Sequence, residues 1–238
     1  MPYPDNERFL RTRMVLGAEA LERLAHSHVA IAGLGGVGSY AAEAIARAGI
    51  GEITLLDADR VSVSNINRQL CALESTVGHK KTDVVAARIA DIHPQARLHL
   101  LDFFYEESRT EDFFFTKFDM VLDCIDTVSA KTELICQAIS RGIPILSALG
   151  TGNKLDPTRL EFADIYKSSV CPLARVMRRE LKKRGIAAHR VLYSREEPKH
   201  AVVAENGRYA PGSISWVPGC AGLMLAGEAV RMLISRPV

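Results

Sequence analysis

The residues best suited to chemistry lie between Val29 and Lys81, with two aspartates further on. Gly33-Leu34-Gly35-Gly36-Val37-Gly38 offers a backbone free of side chains at Gly33, Gly35, Gly36 and Gly38. Such a loop lets N–H groups approach a phosphate where a helix dipole favours an anion. Asp57 follows Gly38 by about the twenty residues at which a carboxylate reaches a ribose hydroxyl pair. Asp59 is the alternative, and also reads as a solvated turn residue. Asn65, Arg68 and Gln69 come next, in a run with no apolar periodicity. The neutral hydrogen-bonders Asn65, Asn67 and Gln69 are suited to fixing the Arg68 guanidinium over a phosphate. Lys81, just after Gly78, opens a helix and is a second phosphate cation, with its neighbour Lys80 as the alternative. Asp126, beyond the apolar run Met120–Cys124, is placed to hold Mg²⁺ through oxygen. Asp123, nearer that run's interior, reads as a buried acid bonded to backbone amides. A nicotinamide-binding oxidoreductase uses the glycines and Asp57 but leaves Asn65, Arg68 and Lys81 idle. The surplus of donors suits an enzyme that attacks the α-phosphate of ATP and must neutralise charge there.

The elements that would position these groups are legible as alternating apolar runs and helical stripes. Leu16, Ala20, Leu21 and Leu24 mark a short N-terminal helix. Val29–Gly33 is a buried strand, Gly36–Ala48 a helix with Ala41, Ala44 and Ile45 inward, and Glu52–Asp57 the next strand. This is a βαβ unit, so the strands are parallel and the crossover right-handed. The pattern continues with a helix over Lys80–Ile92 and strands over Arg97–Phe103 and Met120–Cys124. A helix over Lys131–Arg141, stopped by Gly142, and a strand over Ile143–Ala148 complete it. After Gly150, Leu160–Ile165 alternates like a strand, Pro172–Arg184 is a basic helix, Val191–Ser194 is a short strand, and 195–215 is loop-like. No helix of crossover length separates Ile143–Ala148 from Leu160–Ile165, so the sheet should turn mixed there. The expected fold is α/β, a Rossmann-like βαβ core with a mostly parallel sheet turning mixed in its C-terminal part. The expected organisation is one domain over 1–238, with a nucleotide-binding half at 1–150 and a substrate-binding half at 151–238.

Bulk properties narrow the classes. A chain of 238 residues that is 47% hydrophobic builds a full core and is not disordered. The net charge of +2 confines any nucleic-acid surface to a local patch. One patch stands out: Arg175, Arg178, Arg179 and Lys182 fall on one face of the basic helix, with Val176, Met177 and Leu181 turned inward. Five cysteines, none at C-x-x-C spacing, argue against a structural zinc site, so no zinc is expected, and for a reduced, cytoplasmic chain. No export signal is evident. The apolar stretch Trp216–Ile234 carries Pro218, Glu228 and Arg231, whereas a membrane span needs about 20 apolar residues without charges. It reads as a buried helix.

Four runs carry a family resemblance: GLGGVGS at 33–39, NINRQ at 65–69, TVGHKK at 76–81 and DCIDT at 123–127. They resemble the ubiquitin-activating-enzyme-like superfamily, whose small bacterial members adenylate a carboxylate with ATP. Within it the chain is most similar to the tRNA threonylcarbamoyladenosine dehydratases, through RQLCAL at 68–73, NKLDPTRLEFADIYK at 153–167, SREEP at 194–198 and VPGCAGLMLAGEAV at 217–230. The similarity runs over nearly the whole chain. It implies ATP and Mg²⁺ as cofactors, tRNA carrying threonylcarbamoyladenosine as substrate, and a homodimer in which Arg11 reaches the partner's phosphates. By the same resemblance Gly35, Gly36 and Gly38 cradle the nucleotide, Asp57 takes the ribose, Asn65, Arg68 and Lys81 hold phosphates, and Asp126 binds Mg²⁺. The sequence leaves open a monovalent cation and a sulfur-transfer partner. Cys171 stands where the family often has an aspartate, and Ser194-Arg195-Glu196 replaces an STE-like triplet. Cys171 and Cys220 are expected to be inert, because ring closure needs only a nitrogen already on the substrate. The rival readings are an adenylyltransferase for a small sulfur-carrier protein, whose relatives commonly carry C-x-x-C pairs, the oxidoreductase above, and a non-catalytic tRNA-binding module.

Overall fold

The computed structural model describes residues 7–199 and 211–235. The N-terminal helix is two helices, α1 (Leu10–Leu16) and α2 (Ala18–Ala25), parted by Gly17 at φ 87°. Then come β1 (His28–Ala32), α3 (Gly38–Ala48), β2 (Glu52–Leu56), α4 (Lys81–Ile92) and β3 (Arg97–Leu101). The second run is α5 (Thr110–Phe113), β4 (Met120–Asp123), α6 (Val128–Ser140) and β5 (Ile145–Ala148). It is completed by β6 (Leu160–Asp164), α7 (Pro172–Lys183), β7 (Arg190–Ser194) and α8 (Trp216–Ile234).

All strands belong to one seven-stranded sheet in the order β3-β2-β1-β4-β5-β7-β6. Pairing is parallel except at the edge, where β6 runs antiparallel to β7. The sheet therefore turns mixed after residue 150 as expected, but β6 does not pair with β5; β7 lies between them. β1, β4 and β5 are buried along their whole length, which is why they read as unbroken apolar runs. β5 begins later than Ile143 because Pro144 has no N–H to give the ladder, although its carbonyl still accepts from Val121 N at 2.9 Å. Helices cover both faces. Ile31, Ile53, Leu55 and Leu122 pack with α3 and α8 on one side; Ala30, Val121, Leu134, Met177 and Leu181 pack with α6 and α7 on the other.

α8 is long and apolar enough to span a membrane by length and composition, but here it is a core helix. Its Val217, Ala221, Leu225, Ala229 and Leu233 are buried. The contact with α3 is close: a Cβ at Gly222 would stand 2.3 Å from the Val37 carbonyl oxygen and 2.8 Å from Tyr40 Cβ.

A buried polar chain ties β4, α6, β5 and the start of β7 together. Asp123 and Lys131 pair at 2.7 Å with neither side chain exposed. The Asp123 carboxylate also accepts from the Ile125 amide at 3.1 Å and from the Ser147 hydroxyl. Ser147 in turn accepts from His189 Nε2 at 2.8 Å. Burial pushes the Asp123 carboxyl up, against the pull of Lys131. Burial, reinforced by the Lys131 charge, pushes His189 down to about 4.

This packing can be tested at two glycines and one histidine. Gly222→Ala should destabilise the chain by about 1–3 kcal/mol through overpacking. Gly227→Ala, on the same helix with nothing within 4 Å of its Cβ, should stabilise it by up to about 1 kcal/mol through helix propensity. Urea unfolding of both measures the difference, and equal effects would refute the α3–α8 contact. For His189, the unfolded ring protonates below its ordinary 6.5 while the folded ring stays neutral to about 4. Stability therefore falls as pH drops through that window and levels off beneath it. The wild type should lose about 3 kcal/mol more than His189→Gln between those two pH values; identical pH profiles of unfolding would rule it out.

Candidate nucleotide site

The cleft opens at the C-terminal ends of the parallel strands, beside the β1–β4 boundary where the chain order reverses. This is the position at which doubly wound sheets bind ligands. Its volume, about 980 Å³, lies at the upper end of the ~300–1,000 Å³ typical of small-molecule sites.

The glycine loop forms one wall. Gly33 adopts φ 89°, and a Cβ there would stand 2.8 Å from the Cys124 carbonyl oxygen. A Cβ at Gly38 would stand 1.7 Å from the Gly33 carbonyl oxygen, so the loop can close onto the first turn of α3 only with glycine at both places. Gly33, Gly35 and Gly36 line the cleft, whereas Gly38 lies behind the loop as the first residue of α3. The positive end of the α3 dipole therefore sits at the loop.

Asp57 directly follows β2, on the cleft wall. Its Oδ2 accepts from Leu34 N at 2.7 Å and its Oδ1 from Asp59 N at 2.8 Å, so it braces the glycine loop as well as facing the cavity. Burial pushes its carboxyl above the usual range, while Lys81 pulls the other way. Each oxygen retains a further lone pair for a ribose hydroxyl. Asp59 is more exposed and holds Lys81 Nζ at 2.7 Å; Asp57 Oδ1 lies 3.7 Å from the same nitrogen. Lys81 is buried and lines the cleft. Lys80 pairs instead with Asp102 and does not line the cleft.

Arg68 and Gln69 also line the cleft. The Arg68 guanidinium donates to Ser64 O at 2.8 Å and to Asn67 Oδ1 at 2.9 Å, so Asn67 steadies it as expected. Asn65 is not on the cleft wall. Its Oδ1 accepts from Ser62 N at 3.1 Å, and its carbonyl from Arg68 N at 3.0 Å and Gln69 N at 2.9 Å. Asn65 thus shapes the turn that presents Arg68. Asp126 is exposed on the opposite wall, touched only at 3.4 Å by the Thr127 hydroxyl among its described hydrogen bonds. An exposed carboxylate in the same cleft as Arg68 and Lys81 is a suitable protein contribution for Mg²⁺, which takes one or two carboxylates and completes its shell with other oxygens.

The far wall contains a residue that sequence reasoning missed. Lys154 is 3% exposed and lines the cleft near Cys171. Its Nζ donates to the Glu196 carbonyl, and burial pushes its pKa down. The Glu196 carboxylate accepts from Leu155 N at 2.9 Å and Asp156 N at 2.8 Å, clamping the 154–156 turn. Nothing in NKLDPT marks this lysine as buried, because its partner is a carbonyl 42 residues away. All five thiols are free. Cys171 is buried at the cleft wall, while Cys220 is half-buried on α8. Burial pushes Cys124 up to about 12.

Arg11 is exposed on α1, outside the cleft. On α7, Arg175, Arg179 and Lys182 are exposed, and Arg179 pairs with Glu180 at 3.0 Å. Arg178 is half-buried and donates to the carbonyl and the hydroxyl of Ser168, both at 2.7 Å. Met177 and Leu181 face inward as expected, joined by Ala174.

Comparison with known proteins extends this geometry. The chain is 43% identical over 240 residues to a tRNA threonylcarbamoyladenosine dehydratase of Bacillus subtilis (strain 168), covering 95% of this chain and 94% of that protein. It superimposes on the crystal structure of E. coli tRNA N6-threonylcarbamoyladenosine dehydratase, TcdA, in complex with AMP, with a TM-score of 0.90 and 32% identity over 96% of this chain and 94% of that one. The ATP complex of the same E. coli protein gives a TM-score of 0.89 at 33% identity, with the same coverage. The ThiF family model matches residues 9–238. A glycine loop, a strand-end acid and two cations around one cleft, with likeness along nearly the whole chain, place this protein in the ThiF family.

Proposed function

We propose that this chain is an ATP-dependent tRNA threonylcarbamoyladenosine dehydratase acting in the cytoplasm. The observation that carries the reading is the gathering of the glycine loop, Asp57, Arg68, Lys81 and Asp126 around one cleft. The likeness to dehydratases along nearly the full length supports it over the sulfur-carrier adenylyltransferase. In the proposed reaction the threonyl carboxylate attacks the α-phosphorus of ATP and displaces pyrophosphate. A nitrogen already on the substrate then attacks the acyl carbon and gives up its proton. AMP leaves with the electrons of the acyl C–O bond, and the product is cyclic and one water lighter.

Placement around the cleft supports the following roles. The Gly35 and Gly36 amides receive phosphate oxygens and Asp57 the ribose. Arg68 and Lys81 neutralise charge developing at the α-phosphate, where fixed donors act most strongly. Asp126 would hold Mg²⁺, which would supply charge neutralisation on phosphate oxygens. The same reading takes the chain as one adenylating unit that works as a homodimer. Arg11 then acts from the partner, and the exposed Leu10, Met14 and Val15 beside it on α1 fit a covered surface. The exposed cations of α7 serve to bind the tRNA.

The direct test is to incubate the protein with ATP, Mg²⁺ and tRNA bearing threonylcarbamoyladenosine, then weigh the nucleosides. Arg68→Ala should lower the rate by roughly two to three orders of magnitude, as loss of one oxyanion-type donor does; Asp126→Asn should weaken the Mg²⁺ dependence. Mixing Arg11→Ala with Asp126→Asn subunits should restore part of the turnover. Near-normal AMP formation by both Arg68→Ala and Asp126→Asn would overturn the site assignment. For the tRNA surface, Arg175, Arg179 and Lys182 should be neutralised together, sparing Arg178 because it braces Ser168. Every cation–phosphate pairing removed should flatten the salt dependence of tRNA binding by roughly 0.7–0.9 log unit per log unit of salt, with ATP affinity unchanged. An unaltered tRNA affinity at two salt concentrations would make this a solvated face.

A further inference from the structure

At the opposite end of the sheet from the cleft, three strands begin side by side and bring two imidazoles to one carboxylate. His28 opens β1 and lies in register with Glu52, which opens β2. Thr54, two residues along β2, lies in register with His99 on β3. Residues two apart on a strand share a face, so His28, Glu52, Thr54 and His99 project to the same side. Glu52 Oε1 lies 2.7 Å from His99 Nε2 and 3.7 Å from His28 Nδ1. One donor atom from each of the three residues lies within 4.8 Å of the other two. An ion ~2.0–2.1 Å from each of three ligands in tetrahedral array sets them about 3.3 Å apart, a spacing that small side-chain rotations reach from here.

The surroundings are those of a built site. His28 is buried, and its other ring nitrogen, Nε2, is held by the Thr54 hydroxyl at 2.8 Å. That bond fixes the ring and leaves Nδ1 facing Glu52, the outer-sphere arrangement common to metal-binding histidines. Arg97 approaches the other carboxylate oxygen, Oε2, at 3.4 Å, and leaves Oε1 to the histidines. Phe118 stands edge-on to His28 at 4.9 Å, and Phe115 lies 5.2 Å from His99, walling the cluster on the α6 side. Asp119 accepts the His28 backbone N–H at 2.8 Å and adds negative charge nearby. His99 and Phe115 are partly exposed, so an ion and one water have an entry.

We propose that His28 Nδ1, Glu52 Oε1 and His99 Nε2 form a divalent transition-metal site that takes Zn²⁺, with water in the fourth position. Two imidazoles and one carboxylate favour zinc and its late first-row neighbours over Mg²⁺ or Ca²⁺, which prefer oxygen alone. Such a site departs from the sequence expectation of no zinc, which rested on the lack of paired cysteines and does not bear on this donor set. The ion would clamp the leading ends of β1, β2 and β3, far from the nucleotide.

The test uses the full chain stripped by chelator and titrated with Zn²⁺ against a chromophoric competitor, with Co²⁺ as an optical probe. The expected result is one equivalent bound per chain, with a rise in melting temperature. Affinity should fall by at least about 100-fold in His99→Ala and Glu52→Gln, and by about 10–100-fold in Thr54→Val, which removes only the outer hydrogen bond. Should those variants fail to fold by circular dichroism, zinc-edge X-ray absorption of the wild type counts the imidazoles directly and should find two. No stoichiometric binding, affinity unchanged in the variants, or a bound ion without imidazole ligands would each overturn the site and leave a hydrogen-bonded clasp.

Discussion

The buried pair of Asp123 and Lys131 is the constraint on which the middle of the molecule depends. Neither side chain meets solvent, and a charge left alone at that depth would cost several kcal/mol. Lys131 is carried by α6 and Asp123 by the last position of β4, so the helix cannot shift along the sheet without separating them. Ser147 and His189 extend the restraint into β5 and the start of β7. The segment 124–127, which forms a wall of the nucleotide cleft and carries Asp126, thus grows from an anchored base. An exposed acid is held in place by a salt bridge that never touches the ligand.

The cations of the cleft have partners within the protein. Lys81 is held by Asp59, Arg68 by Asn67 and the Ser64 carbonyl, and Lys154 by the Glu196 carbonyl. Each cation is therefore aimed by protein oxygens, and of the three only Lys81 hydrogen-bonds a carboxylate. Orientation is settled during folding, and the desolvation of Lys81 and Lys154 is already complete.

Much of this was legible in the residues. The β1–α3–β2 unit, the glycine loop and the strand-end Asp57 follow from periodicity and spacing, because a parallel strand buried on both faces has to be continuously apolar. That Lys80 pairs with Asp102 while Lys81 lines the cleft was not legible, because Asp102 is distant in sequence. The type and position of Asn65 point to the phosphates, but its side chain closes a local turn, and nothing in the residue type separates the two uses. α5 was too short to show a period. Lys131 and Lys154 were hidden for a common reason: a buried lysine is signalled by its partner, and the partners, a strand-end acid and a carbonyl near residue 196, are set by tertiary packing. The position of β7 between β5 and β6 likewise depends on how the chain returns across the sheet, which strand composition does not encode.

The close approach of α8 to α3 has a consequence for synthesis. α3 carries the glycine loop on its leading end, yet the helix that packs behind it is made roughly 170 residues later, with Gly222 against Val37 and Pro218 against Gly36. A ribosome that has released the first strands has released a phosphate loop without its backing. A chain interrupted before α8 would leave α3 with an uncovered apolar flank. The backing of the glycine loop is in this way tied to a helix that lies far from it in sequence.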